Sequence, residues 1–270
     1  MQDDFGDRMK MYEKMEAGRR FMPLLPIVAR IDGRSFSKFT RDLERPFDAR
    51  LSGLMIDTVK YLVRETNACC GYTQSDEITL GFYSDDPQSQ LLFDGRISKL
   101  TSVLASMTAV YFNRHLPEVL PPAYADRLPH FDARVWTLPN LEEAANVFLW
   151  RELDAIKNSI SMAARAHFSH KELDSKNGAE MKAMLEEKGV KWDEYPEFFR
   201  RGTYIQRRKT SRRFTADELE KLPPLHAARR DPELTVERTD YAPVELPPLL
   251  EVRNRAGVIF RGEAPVVDAG

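Results

Sequence analysis

Two aspartates stand where the chain could set carboxylates against a phosphate. Asp32 closes a short apolar run, residues 26–31 (PIVARI), and Gly33 follows it. Asp76 sits in Gln74-Ser75-Asp76-Glu77, between two extended runs. Such a pair suits Mg²⁺, a hard cation that takes one or two carboxylates and completes its shell with phosphate oxygens. Two such ions, roughly 3.5–4 Å apart, clamp the attacking and leaving oxygens of a phosphoryl transfer. Gly33 lets the backbone pass close to a ligand, and the amides of residues 33–36 form a candidate anion nest. Arg96 and Lys99, spaced i, i+3, are candidate phosphate contacts from a helix. Asp-Gly and Ser-Asp are each common turn dipeptides. Their chemical weight comes from occurring together on elements that bring them to one place.

Those elements read as follows. Residues 5–17 have helical spacing of Met and Tyr, and residues 26–31 form a strand ending at Asp32-Gly33. Residues 48–67 form an amphipathic helix with Leu51, Leu54, Met55, Thr58 and Leu62 on one side. Residues 69–73 and 77–83 form a hairpin with Asp76 in its tip. Residues 88–113 read as a second long helix, 131–138 as a strand, 141–168 as a third long helix and 178–188 as a charged surface helix. The prolines at 117, 121 and 122 mark a loop. The order β-α-β-β-α-β predicts an α+β fold: a polymerase-palm or ferredoxin-like split βαβ antiparallel sheet with helices on one face. The first strand then lies beside the hairpin, so Asp32 and Asp76 meet at one edge. Residues 1–205 are expected to form the catalytic domain. Residues 206–270, basic and then Pro-rich, read as a C-terminal extension.

Composition narrows the classes. With 270 residues and a formal net charge of −2, the chain has room for a sizeable core and is not a polycation. Nucleic-acid contact must therefore come from local basic patches. Residues 200–213 form one, with seven basic residues and no acidic ones. The first fourteen residues are charged and lack the apolar core of a signal peptide. The longest apolar stretch is broken by Pro23 and Pro26, so no membrane span is expected. Cys69 and Cys70 are adjacent and make a poor disulfide; with no CxxC, zinc has no support. A reducing cytoplasm is the expected setting. There is no GxGxxG, P-loop or HExxH. His167 and His170 have ligand-compatible spacing but no carboxylate partner, and surface positions are expected. Trp136 and Trp150 are expected in the core.

The motif set IDGRSF, RPFD at residues 45–48 and QSDE at residues 74–77 resembles the tRNA-His guanylyltransferase family, including its bacterial and archaeal relatives. The likeness continues through Arg96-Ile97-Ser98-Lys99 with Ala105-Ser106, Phe131-Asp132-Ala133-Arg134, Trp150-Arg151 with Asp154 and Asn158, and Arg201-Gly202-Thr203. It covers residues 5–205. The resemblance implies a palm-like nucleotidyltransferase that adds nucleotides to a tRNA 5′ end in the 3′–5′ direction. ATP or GTP first activates the 5′ phosphate; the 3′-hydroxyl of an incoming GTP then attacks it. It implies that Asp32, the Gly33 carbonyl and Asp76 bind two Mg²⁺ ions. Asp32, Gly33, Arg34, Ser35, Phe36 and Ser37, with Ser75 and Asp76, would line the nucleotide site. Glu77 would support the metal aspartate, and Arg45, Arg96 and Lys99 would touch phosphate. A homotetramer is implied. The eukaryotic enzymes carry a His where this chain has Ile156, so the helix looks more like that of the bacterial-type relatives associated with template-dependent repair of truncated tRNA 5′ ends. A nucleotide cyclase on the same palm and a non-catalytic RNA-binding protein are the alternatives. RPFD argues against the first, and the intact Asp32, Gly33, Asp76, Arg96 and Lys99 argue against the second.

Overall fold

A computed structural model describes residues 4–231 and 233–267. In chain order the elements are α1 (Asp4–Ala17), β1 (Ile27–Gly33), α2 (Phe36–Phe39), α3 (Ala49–Thr66), β2 (Cys70–Gln74), β3 (Glu77–Phe82), α4 (Ile97–Val119) and β4 (Phe131–Thr137). Then come α5 (Leu141–His167), α6 (His170–Leu173), α7 (Gly178–Glu187), α8 (Glu197–Arg200), β5 (Thr203–Arg213), α9 (Ala216–Lys221), β6 (Thr235–Val244) and α10 (Arg255–Arg261). The six strands form one antiparallel sheet in the order β4-β1-β3-β2-β5-β6. The first four strands have the expected split βαβ order.

Strand alternation divides the core in two. Ala29 and Ile31 of β1, with Ile78 and Leu80 of β3, pack under α3 and α4 through Val59, Leu62, Leu104 and Phe112. Val28, Cys70 and Tyr72 face the other way, toward Phe148 of α5 and Ile259 and Phe260 of α10. The helices of the βαββαβ unit thus share one face, as expected, and the appended α5 and α10 cover the second. Helix α3 starts cleanly because buried Asp48 accepts from the backbone N–H of Arg50 and of Leu51.

Two expectations are corrected. The helix foreseen over 88–113 begins at Ile97 and runs to Val119, with Pro117 inside its last turn. Phe93, Asp94 and Gly95 all have positive φ, which no helix tolerates, and the segment is tied instead to the chain before β1: the Phe21 N–H donates to the Gly95 carbonyl at 3.0 Å. The boundary at residue 205 falls inside β5, and Val244, Leu246, Leu249 and Val252 lie in the second core. Residues after 205 therefore complete the sheet and cover its second face.

A buried carboxylate fastens them there. Glu152 of α5 is 1% exposed. Its Oε2 accepts from the Tyr204 hydroxyl at 2.8 Å, and its Oε1 accepts from the Leu249 N–H at 3.0 Å and from Arg201 at 3.3 Å. Removing it strands two buried donors, the Tyr204 hydroxyl and the Leu249 N–H, and takes one of the partners of Arg201, which keeps Glu197 and the Leu246 carbonyl; breaking such a pair costs several kcal/mol. Glu152→Ala should lower the unfolding free energy by about 3 kcal/mol, measured by urea titration; a change under about 1 kcal/mol would show that this contact does not hold the C-terminal segment.

Candidate active site

The hairpin tip and the end of β1 meet as expected. The Gly33 N–H donates to the Asp76 carbonyl at 3.2 Å, and Asp32 lies opposite Glu77 in the β1–β3 register. Asp76 follows Ser75, whose left-handed φ of 54° turns the hairpin, and the Ser75 hydroxyl donates to Asp76 Oδ1 at 3.0 Å. Burial pushes the Asp76 pKa up to about 6; the Ser75 bond lowers it in part, while the neighbouring Asp32 and Glu77 charges raise it. A carboxylate so placed is short of positive charge. Among the described residues, no group of three or more His, Cys, Asp or Glu is arranged to hold an ion. The available donors are Asp32, Asp76 and the Gly33 carbonyl. An all-oxygen, incomplete set of this kind fits Mg²⁺, which keeps positions for water and phosphate.

Glu77 is fully engaged. Arg30 of β1 and Arg151 of α5 each pair with it, one on either oxygen. Arg30 also reaches Asp32 Oδ2 at 3.3 Å, and Arg151 reaches Asp154 Oδ2 at 3.0 Å. Asn158 donates to the same Asp154 oxygen at 3.1 Å. Trp150 lies against both guanidiniums, at 5.8 and 4.7 Å, and is 51% exposed rather than in the core. Arg30 was given no role from the sequence; Asp132, quoted there only as part of the Phe131–Arg134 motif, lies directly opposite Asp32 on β4. Strand register identifies both, and a one-dimensional motif does not encode it.

The turn after Asp32 is compressed against the core. A Cβ on Gly33 would stand 2.3 Å from the Phe36 ring. That ring packs on Phe39, Phe112 and Phe131 with centroids 5.0–5.8 Å apart. Ser35 has left-handed geometry, φ 57°, and Arg34, Ser35 and Ser37 remain exposed beside Asp32. On one side of α2 a pocket opens toward Ser75, lined by Leu43, Pro46, Phe47 and Phe198, with Asp48 and Gln74 as polar groups. Arg45 borders it, donating to the carbonyls of Thr40 and Arg41 at 3.4 Å.

Arg96 and Lys99 are not brought to this place. Phe112 of α4 packs at the site end of the sheet, and Arg96 lies at the opposite helix end, roughly 24 Å away at 1.5 Å per residue. It pairs with Arg20 in an isolated bridge, while the Lys99 ammonium lies 5.6 Å from the Phe93 ring. Within one chain, their expected role as phosphate contacts at the Asp32–Asp76 site is corrected. In the basic run, Arg212 and Arg213 pair with Glu218 and Glu233, and Arg201 with Glu152 and Glu197. His167 and His170 are exposed, as expected, and burial pushes both cysteine thiols up.

Two carboxylates at the edge of a β4-β1-β3-β2 palm, beside a tight turn and an open pocket, fit a phosphoryl-transfer nucleotidyltransferase site. Comparison with known proteins gives the family. The model of the tRNAHis guanylyltransferase family matches residues 6–139. The solved structure of a bacterial tRNA(His) guanylyltransferase (Thg1)-like protein in complex with ATP is 32% identical, with a TM-score of 0.78, covering 95% of this chain and 99% of that one. A bacterial Thg1-like structure in complex with GTP is 30% identical, with a TM-score of 0.71, covering 92% and 94%. The tRNA(His) guanylyltransferase of Neurospora crassa is 27% identical over 216 residues, 74% of this chain and 71% of its own. The chain belongs to the tRNA(His) guanylyltransferase family of nucleotidyltransferases.

Two predictions follow from the geometry. The folded pKa of Asp76 lies above the usual 3.8, so ionising it disfavours the fold. The deficit is absent below that value, grows up to about pH 6 and is complete above it. In divalent-free buffer, Asp76→Asn should therefore melt higher than the parent at pH 8 and match it near pH 3.5; equal melting temperatures at pH 8 would contradict the electrostatic strain. Gly33→Ala must displace Phe36 from its aromatic cluster and should cost about 1–3 kcal/mol by overpacking, read in urea melts alongside the loss of activity.

Proposed function

We propose that this protein adds nucleotides to the 5′ end of a tRNA in the 3′–5′ direction, acting on truncated ends with template-matched nucleotides as well as adding GMP. The observation that carries the reading is the Gly33–Asp76 backbone bond, which holds Asp32 and Asp76 together beside the amide turn and the pocket. The ATP and GTP complexes of the bacterial relatives support those nucleotides as substrates. Template-matched addition is favoured by Ile156, a partly buried apolar residue packed against Ile160, Leu185, Trp192 and Phe199 where the eukaryotic enzymes have a His. The similarity to the bacterial proteins also runs through 95% of the chain. By this reading residues 1–205 carry the catalytic groups and 206–270 complete the sheet, and the enzyme works as a homotetramer in the cytoplasm.

Asp32, Asp76 and the Gly33 carbonyl would hold two Mg²⁺ ions, which when bound neutralise the triphosphate and favour ionisation of the attacking hydroxyl. The chain's own part is positional. The Gly33 and Arg34 amides already donate to the Asp76 and His130 carbonyls, so the amides of Ser35 and Phe36, with the Ser35 and Ser37 hydroxyls, orient the polyphosphate. Phe36 anchors that turn in the core. Arg30 and Arg151 fix Glu77 and with it the start of β3, so Asp76 keeps its place beside Asp32. The pocket bordered by Arg45 and Asp48 seats a base away from water. In the first step, a 5′-phosphate oxygen attacks the α-phosphorus of ATP and pyrophosphate leaves. In the second, the 3′-hydroxyl of the incoming nucleotide attacks the activated 5′ phosphorus and AMP leaves.

The test offers two RNAs to purified protein with Mg²⁺, ATP and four labelled nucleotides: tRNA-His lacking its extra guanylate, and a second tRNA lacking its first paired nucleotide. Extension of the second by the template-matched base is expected, and Asp76→Asn should slow it by at least about 10²-fold. Extension of tRNA-His alone by one G would restrict the activity to guanylylation; extension of neither would sink the reading.

A further inference from the structure

The second face of α2 borders a groove of different character. It is lined by Arg34, Lys38, Arg41 and Asp42 on one wall and by Arg127 and His130 on the other. The walls are joined by the Arg34 N–H, which donates to the His130 carbonyl at 2.8 Å. Asp42 is the groove's one carboxylate, and Arg127 already neutralises it at 2.9 Å. Arg127 is itself fixed: it donates to the Phe39 carbonyl at 2.7 Å and lies 4.2 Å over the Tyr124 ring. Arg34, Lys38 and Arg41 are exposed and, among the described residues, have no ion-pair partner. Three uncompensated cations therefore converge on one open groove that starts two residues from Asp32. Like charges brought together without counter-charge destabilise a fold unless an anion is to meet them.

We propose that this groove binds successive backbone phosphates of the RNA strand whose end reacts at Asp32 and Asp76, an assignment that rests on the proposed function. The pocket proposed for a base lies past the end of α2, by Thr40, Leu43 and Ser75. The cationic groove also has Phe39, Leu128 and Pro129 in its lining, but it is the more open of the two and its uncompensated charges are all cations. Long, exposed Arg and Lys side chains along an open wall suit a repeating anion read by charge more than a single nucleotide read by its base. A strand reaching the aspartates would pass its following phosphates along this wall.

The test uses the full chain carrying Lys38→Gln and Arg41→Gln together; both side chains are exposed, so the fold should be retained, and melting temperature checks it. Affinity for a labelled, 5′-phosphorylated acceptor-stem hairpin is measured without nucleotide at 50 to 200 mM KCl. Each lost phosphate contact removes about 0.7–0.9 from the slope of log K against log salt. The variant's slope should be shallower by about 1.4–1.8, so its affinity should fall roughly 7- to 12-fold less than the parent's across that range. ATP and GTP binding, measured separately with Mg²⁺, should be unchanged. An unaltered slope in a parent that extends RNA overturns the groove assignment alone. Weakened nucleotide binding with unaltered RNA binding also overturns it, making the groove a triphosphate seat. A reduced slope in a protein that extends no RNA keeps the groove and removes the proposed activity.

Discussion

The molecule is organised around the repulsion between carboxylates held at one sheet edge. Antiparallel pairing of β1 with β3 sets Asp32 opposite Glu77, and the hairpin turn adds Asp76. Three carboxylates so close would drive one another toward protonation; the raised pKa of Asp76 comes first from its burial, and the Asp32 and Glu77 charges add to it. The protein relieves it unevenly. Arg30 and Arg151 neutralise Glu77, and Arg30 leans on Asp32. Asp76 receives only a hydroxyl. The uncompensated charge is thus concentrated on the residue that faces the site, where a cation can answer it. Full compensation by a third arginine would favour stability and abolish the site.

The support for this arrangement comes from distant parts of the chain. Arg151 belongs to α5, and α5 is held on the second face of the sheet by Glu152, whose contacts are Tyr204, Arg201 and Leu249. Adjacent residues on α5 therefore serve two purposes: Arg151 steadies the β2–β3 hairpin that carries Asp76, and Glu152 fastens the C-terminal segment. Burying both charges is costly unless each is fully paired, and each is. The C-terminal residues reach the site through this linkage, without touching it.

How much of this the sequence discloses depends on how local the cause is. Asp32, Gly33, Ser75 and Asp76 were legible because strand alternation and turn chemistry act within a few residues. The β4-β1-β3-β2 order followed from the succession of elements. Arg30 and Arg151 were not legible as a clamp on Glu77, since that depends on register and on where α5 docks. Arg96 and Lys99 were placed on the correct helix, but spacing along a helix does not say which end faces the site. The late start of α4 was hidden because Phe93 and Asp94 adopt left-handed backbone that their side chains do not advertise. The boundary at 205 followed a real change in composition; yet the apolar residues at 244, 246, 249 and 252 still had a sheet face to cover.

Helix α2 shows why the active-site turn can be both short and well fixed. It has four residues, too few to be stable alone. Its inward side chains, Phe36 and Phe39, belong to an aromatic cluster with Phe112 and Phe131, so its position is set by the core. Gly33 is required because the Phe36 ring occupies the space a side chain would take. The turn after Asp32 and the hydrophobic core therefore share atoms, and a change that loosens one displaces the other. Two openings flank the same turn: one past the end of α2 by Thr40, Leu43 and Ser75, the other along Arg34, Lys38 and Arg41. Their spacing is fixed only if that turn does not move, and burial of two phenylalanines is what holds it still.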